Sequence, residues 1–262
     1  KTRPVLCPMN LQAEPFAFIF PGQGSQVVGM GRELAEAFPI AQEIFEQADQ
    51  ILGFPISHLA WDGPDSELND TINTQPALLM HSVATLQVFQ AKYPEVSPAF
   101  VAGHSMGELS ALVACGALPF AEALRLARTR GRLMKQSGEI SPGGMAAIMG
   151  LDIPGLEEVC AQASQEEELV QVANDNCPGQ VVISGTQKAL ERAMALAQLA
   201  GAKKVVPLAV SIAAHSPLMA YAQEEFRRAV DATPIKDPHI PLIGNVTAAP
   251  LHQASQIRQD LQ

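Results

Sequence analysis

The 262-residue sequence is poor in several things at once. Only 5% of its residues are aromatic and 17% are charged, and its four cysteines (Cys7, Cys115, Cys160, Cys177) never form a C-x-x-C pair. That scarcity offers neither zinc-ligand spacing nor a disulfide framework, so the thiols are expected to be reduced and the setting cytoplasmic. The six histidines (His58, His81, His104, His215, His239, His252) show no ligand spacing and no H-E-x-x-H, so no metal site is expected. No apolar run approaches the roughly 18–20 uncharged residues of a membrane helix, and no signal-peptide pattern opens the chain. Basic charge is scarce: 17 Lys+Arg against 27 Asp+Glu leave −10 at pH 7. That excludes a general nucleic-acid binder, which needs a basic surface to displace counterions from phosphates. Like-charge blocks are missing too, and 47% hydrophobic residues suffice for a large core, so the chain is not a disordered one.

What is present alternates between strand and helix patterns. Residues 1–15, with Pro4 and Pro8, read as an irregular leader. Phe16 to Phe20 and Phe100 to Gly103 are short apolar runs expected as buried strands. Helix patterns run from about Val27 to Gly53, from about Gln75 to Tyr93 with Pro76 in the first turn, from Met106 to Cys115 and from Phe120 to Gln136. The middle of the chain changes character. Strands are expected at Met145 to Met149, Leu169 to Ala173, Gln180 to Ser184 and Lys204 to Leu208, with helices at Ile153 to Ser164 and Gln187 to Leu199. That β-α-β-β-α-β succession is the signature of a ferredoxin-like unit. His215-Ser216-Pro217 then opens a further helix, Ser216 suiting its cap and Pro217 its first position. Leu242-Ile243 reads as a last strand, followed by a polar helix. The fold class is therefore α/β: a large subdomain (16–142 and 209–262) with an inserted ferredoxin-like small subdomain (143–208).

The sharpest chemical signal is Gly103-His104-Ser105-Met106-Gly107, a G-x-S-x-G between a strand and a helix. A turn that tight admits only glycine two residues either side of the serine. It thrusts the hydroxyl outward and leaves the next backbone N–H, that of Met106, for an oxyanion. Ser105 is the candidate nucleophile, and it needs a base. His58, His239 and His252 sit in loop or terminal stretches, His81 falls on an apolar helix pattern as a core residue, and His104 points away from its neighbour. His215, at a loop-to-helix junction with small Ala213 and Ala214 beside it, is the candidate base; an ordinary exposed histidine is the alternative.

Arg130 stands out by its helical neighbours, Leu126, Ala127, Leu133 and Met134, all apolar, whereas Arg125, Arg128 and Arg132 lie on a separate, solvated face. An arginine on an apolar face is costly unless an anion pairs with it. Either an internal carboxylate pairs with it, or its charged head snorkels to water, or it receives a substrate carboxylate in bidentate fashion. Gly22-Gln23-Gly24-Ser25-Gln26 fails as a dinucleotide or Walker loop, since Val27 occupies the third glycine position and no Gly-Lys-Ser/Thr follows. Such a turn can instead present Gln23 and a backbone N–H to a reacting carbonyl. Asn174 to Gly179 reads as a polar turn in the small unit.

Together these segments resemble a known family. Phe20 to Gln26, Thr74-Gln75-Pro76-Ala77, Gly103 to Glu108, Pro142 to Ala147, Asn174 to Ser184 and Val210 to Met219 are similar, in that order, to the malonyl-CoA:acyl carrier protein transacylases of fatty-acid and polyketide synthesis. The resemblance covers nearly everything from Phe16 onward. It implies a hydrolase-like α/β body with a ferredoxin-like subdomain. It also implies Ser105 as nucleophile, His215 as base, Arg130 as malonyl carboxylate ligand, Gln23 and the Met106 N–H at the oxyanion, and Gln75 and Asn174 lining the pocket. The implied partners are malonyl-CoA and acyl carrier protein, with no nucleic acid, membrane or bound cofactor; CoA and phosphopantetheine arrive as parts of the substrates. Lys203-Lys204 and the Arg125/Arg128/Arg132 face are candidates for carrier docking. Two departures are visible. Ala214 stands where malonyl-selective relatives often have Phe, so the acyl wall is expected to be more open. The family also continues beyond the equivalent of Gln262 with a Q-x-x-x-P-V-x-W-like segment whose backbone orients the histidine, so a truncated form is expected. Two alternatives are an acyl hydrolase of the same family acting on carrier proteins and a non-catalytic carrier-docking module.

Overall fold

The computed structural model describes residues 15–208, 210 and 212–262. All but Pro15 of the expected leader, and the crossing residues Ala209 and Ser211, lie outside that set. The chain divides into two compact units, one holding the described residues up to Gly131 together with Ala229–Gln262, the other Arg132–Arg228.

In the first unit, strand β1 (Ala17–Phe20) is followed by helices α1 (Arg32–Ala37), α2 (Pro39–Leu52), α3 (Ile56–Asp62), α4 (Asp65–Leu68) and α5 (Thr71–Lys92). Strand β2 (Phe100–Gly103), helix α6 (Gly107–Ala114) and helix α7 (Phe120–Ile140) come next. The single helix expected over 27–53 is broken, because Phe38 precedes Pro39 and is held extended (φ −135°, ψ 111°). Helix α5 also starts earlier than expected, at Thr71, where the Asp70 carboxylate accepts the Ile72 N–H at 3.3 Å. Pro76 thus lies inside α5 and leaves the Ile72 carbonyl without its helical donor. The Arg128 guanidinium of α7 fills that gap, Nη1 donating to the Ile72 carbonyl at 2.8 Å. It also bonds Asn73 Oδ1 and stacks on the Phe54 ring. Arg128 is therefore a structural tie rather than a solvated arginine. Helix α5 is buried on nearly all sides, with Ala77, Leu78, Leu79, Met80, Val83 and Ala84 forming much of the core.

The second unit contains β3 (Gly143–Met149), α8 (Ile153–Ala163), β4 (Val170–Cys177), β5 (Gln180–Thr186), α9 (Gln187–Leu199) and β6 (Lys204–Pro207). Its sheet has the order β4-β5-β3-β6, every pairing antiparallel, which is the ferredoxin-like arrangement expected from the element order. Alternation along β3 sends Ala146 and Ile148 toward α8 and α9, and Met145 and Ala147 to the opposite face. Ala214 is buried on that opposite face against Met145, Ala147 and Val182. This packing, with the end of α7, is why the unit spans 132–228 rather than the expected 143–208. The stretch Asn174–Cys177, expected as a turn, belongs to β4; the turn itself is Pro178-Gly179, and β4 is irregular between Val172 and Asn174.

A 3-10 turn (Pro217–Met219) leads into α10 (Ala220–Ala232), with Ser216 as the cap accepting the Leu218 N–H at 3.3 Å, as expected. The chain then returns to the first unit with β7 (Leu242–Ile243), β8 (Pro250–Leu251) and α11 (Ala254–Leu261). The first unit's sheet has the order β1-β2-β7-β8, the first three strands parallel and β8 antiparallel. Strand β1, expected to be buried, is at the sheet edge with Ile19 77% exposed. In register, Phe20 of β1 stands opposite Gly103 of β2, so the loops after both strands open at the same edge. The carboxyl ends of parallel strands are where open α/β sheets place ligands.

Candidate active site

The loop after β2 is a strained elbow. Ser105 has φ 50°, in the left-handed region, which costs a non-glycine residue roughly 1–2 kcal/mol. The close turn is possible because Gly103 and Gly107 have no side chains. A Cβ at Gly103 would collide with the Gly107 carbonyl, and one at Gly107 with the Phe20 carbonyl. Gly103→Ala is expected to destabilise the protein by more than about 3 kcal/mol, since the obstacle is backbone on both sides. A wild-type denaturation midpoint for that variant would show that the elbow does not need the contact. Met106 caps α6, and its N–H takes no acceptor among the described residues; it lies at the positive end of that helix.

Arg130 of α7 reaches this elbow. Nη2 donates to Ser105 Oγ at 3.0 Å and Nη1 to Gln75 Oε1 at 3.2 Å. Gln75 is fully buried on α5. Gly131 permits the approach, because a Cβ there would lie 2.5 Å from the Thr71 carbonyl oxygen. Thr71 in turn accepts Gln23 Nε2 at 3.1 Å, so Gln23, Gln75 and Arg130 all gather about the first turns of α5. Burial pulls the Arg130 guanidinium down to about 10, with Glu108 opposing, so it is cationic at neutral pH. No carboxylate forms an ion pair with it among the described residues.

Two further residues join from places that sequence reasoning passed over. Asn245, in the loop after β7, accepts the Ser105 N–H on Oδ1 at 3.1 Å and donates through Nδ2 to Glu108 Oε2. Glu108, on α6, is 3% exposed, and its buried Oε1 has no hydrogen-bond partner among the described residues. Burial pushes its carboxyl up to about 8, the Asn245 amide opposing and the Asp260 charge adding to the rise. Glu108 is therefore mostly protonated at pH 7. Gln23, Ser105 and Asn245 follow β1, β2 and β7, the three parallel strands, and that common placement was the signal available for Asn245.

The arrangement offers a half-buried hydroxyl on a strained turn, a helix N-terminus and a cation with no ion-pair partner among the described residues. The acyl transferase domain family matches residues 17–259. The malonyl CoA-acyl carrier protein transacylase of Bacillus subtilis is 47% identical over 245 residues, covering 94% of this chain and 77% of that protein. The chain belongs to the malonyl-CoA:acyl carrier protein transacylase family. The solved structure of the Coxiella burnetii malonyl CoA-acyl carrier protein transacylase has a TM-score of 0.91 at 40% identity, over 95% of this chain and 78% of that one. A malonyl-transacylase solved in complex with a type II PKS acyl-carrier protein has a TM-score of 0.90 at 41% identity, over 95% and 80% respectively.

Within this transacylase framework, the first unit gathers Ser105, Met106, Gln23, Gln75 and Arg130. His215 and Asn174 belong to the second unit. His215 has φ 57°, and its carbonyl accepts Gln171 Nε2 at 2.9 Å. Asn174 lies on β4 opposite Val182. Ala214, the small residue beside His215, is buried against Met145, Ala147 and Val182. His81, expected as a core residue, has a buried Nδ1 with no hydrogen-bond partner among the described residues, and burial lowers its pKa, so it is neutral. Of the proposed docking arginines, Arg125 pairs with Glu122 at 2.7 Å and Arg128 is tied to α5, whereas Lys203 and Lys204 are exposed. Cys115, Cys160 and Cys177 are free. Among the described residues no group of three or more His, Cys, Asp or Glu is placed to hold a metal, and no helix is long and apolar enough to cross a membrane.

Proposed function

We propose that this chain transfers a malonyl group from malonyl-CoA to the phosphopantetheine thiol of an acyl carrier protein, in a cytoplasmic setting, through an ester on Ser105. The observation that carries the reading is Arg130: a partly buried planar cation, without an ion-pair partner among the described residues, donating to the oxygen that would attack. A guanidinium in that position suits a carboxylated acyl group, whose distal carboxylate takes the fork as bidentate acceptor. Gln75, by accepting from Nη1, holds the fork in orientation.

Ser105 Oγ attacks the thioester carbonyl; the Oγ–C bond forms, the C–S bond to CoA breaks, and the hydroxyl proton passes by way of His215 to the departing thiolate. The Met106 N–H and Gln23 receive the oxyanion, aided by the α6 N-terminus. In the second half the carrier thiol gives its proton to His215, its sulfur bonds the malonyl carbonyl carbon as the Oγ–C ester bond breaks, and Ser105 Oγ recovers the proton from His215. The malonyl-CoA thioester and the carrier thiol both arrive as substrates, and no resident cofactor enters this chemistry. Asn174 is assigned to the pocket by family resemblance alone. The names of the relatives, and the neighbour solved with its carrier protein, support malonyl-CoA and acyl carrier protein as partners.

Intact-mass measurement after mixing with malonyl-CoA tests this. One malonyl adduct is expected on the wild type and none on Ser105→Ala, with transfer to carrier lowered by at least about 10⁴-fold in that variant. Absence of any adduct on the wild type would overturn the assignment. Rapid release of free malonate without carrier would favour the hydrolase reading instead.

A further inference from the structure

The Ser105 N–H does not face the space where a reacting carbonyl would sit, because it is already committed to Asn245. The orientation of the carboxamide follows from its partners: a backbone N–H can only donate, so Oδ1 faces Ser105 and Nδ2 faces Glu108. The loop that carries Asn245 is itself pinned. Asp260 of α11 accepts the Val246 N–H at 3.2 Å and the Thr247 N–H at 3.3 Å, and the Ala248 N–H closes on the Gly244 carbonyl at 3.0 Å. Gly244 lies so close to Asp260 that a Cβ would come within 2.5 Å of its Oδ1. A rigid loop therefore delivers one amide to the backbone of the strained serine and to a buried carboxyl three residues further on.

We propose that Asn245 is a positioning residue for the Ser105 nucleophile: its carboxamide ties the Ser105 N–H to the Glu108 carboxyl, locks the elbow in its left-handed conformation and reserves the Met106 N–H for the reacting carbonyl. This rests on the reading of Ser105 as the acylated residue. Without the amide, the Ser105 N–H loses its acceptor, and the peptide is free to rotate toward unstrained backbone, carrying Oγ out of line.

The rate of Ser105 malonylation, measured by rapid-quench intact mass, tests the clamp. Asn245→Ala should lower it by roughly 10- to 100-fold while leaving the malonyl-CoA KM within about threefold, because Arg130 and Gln75 are untouched. Asn245→Asp gives a readout that a merely structural role would not move. At about pH 6 protonated Glu108 donates to the new carboxylate and rebuilds the clamp. Above about pH 9 two carboxylates face each other, and the rate relative to wild type should fall by at least about tenfold more. The charged groups facing Glu108 are Asp260 from α11 and Arg130 from α7, and both remain in these variants. Adding Glu108→Gln to Asn245→Asp restores a permanent donor and should abolish that pH dependence. A wild-type rate in Asn245→Ala overturns the clamp while leaving the acyl-serine reading intact, as does an Asn245→Asp profile parallel to wild type. Failure of the wild type to acylate overturns the acyl-serine reading itself. Should Asn245→Ala not fold, the Asp variant with and without Glu108→Gln decides the question alone.

Discussion

Replacing Arg130 with alanine is expected to lower malonyl transfer by about 10²- to 10³-fold and acetyl transfer by less than about tenfold. The difference follows from what each acyl group presents to the site. A malonyl carboxylate taken out of water beside Ser105 must recover its lost hydration from a charged donor pair. Removing one partner of such a buried pair costs roughly 3–5 kcal/mol. An acetyl group has no carboxylate and forfeits nothing of this kind. The acetyl arm also serves as the control for the bond between Arg130 Nη2 and Ser105 Oγ, which both substrates lose equally. Arg130→Lys should fall between the two, because it keeps the charge but not the fork that spans Ser105 and Gln75. The measurement is kcat/KM with malonyl-CoA and acetyl-CoA against a common carrier protein. Equal losses for both would sink the assignment of Arg130 to the carboxylate.

The second large effect is on stability. Glu108 has a folded pKa of about 8 against an ordinary value of 4.5, so the native state holds a proton that the unfolded chain releases between those limits. Because the native state binds more protons in that window, stability falls as pH rises from about 4.5 to about 8. The contribution is fully present below the lower limit and wholly lost above the upper one. Each tenfold difference in proton affinity between the folded and unfolded states is worth about 1.4 kcal/mol, so the loss attributable to this one carboxyl reaches about 5 kcal/mol at most. Glu108→Gln is nearly isosteric, cannot ionise, and keeps an acceptor for Asn245 Nδ2. It should remove this pH dependence and melt about 10 °C higher than wild type above about pH 8. Thermal melts of both proteins from about pH 5 to 9 check it. Parallel melting curves across that range would show that Glu108 ionises as an ordinary surface carboxylate does.

The elements with strong local codes were legible in the sequence, and so was the elbow. The β-α-β-β-α-β order, the Ser216 cap and the G-x-S-x-G turn each depend on residues within a few positions of one another. Where expectation failed, the missing information was distant. The strand Phe16 to Phe20 looks buried by hydrophobicity, yet its exposure depends on which strands pair with it. Helix α5 starts at Thr71 rather than beside Pro76, because Arg128, more than fifty residues away in sequence, supplies the donor that Pro76 lacks.

The same division runs through the site. Sequence alone determined a serine on a tight turn and an arginine on an apolar helix face, since steric necessity at Gly103 and Gly107 and helical periodicity around Arg130 are local facts. It left open whether an internal carboxylate, solvent or a substrate answers that arginine. Only the tertiary structure decided that Arg130 lies on Ser105 and Gln75 with no counter-ion among the described residues, and that Glu108 is buried deeply enough to hold its proton. It also brought in Asn245, which no local pattern marks. Parallel strand pairing sets the end of β7 beside the end of β2, and a hydrogen bond across 140 residues of chain follows from sheet register rather than from sequence spacing.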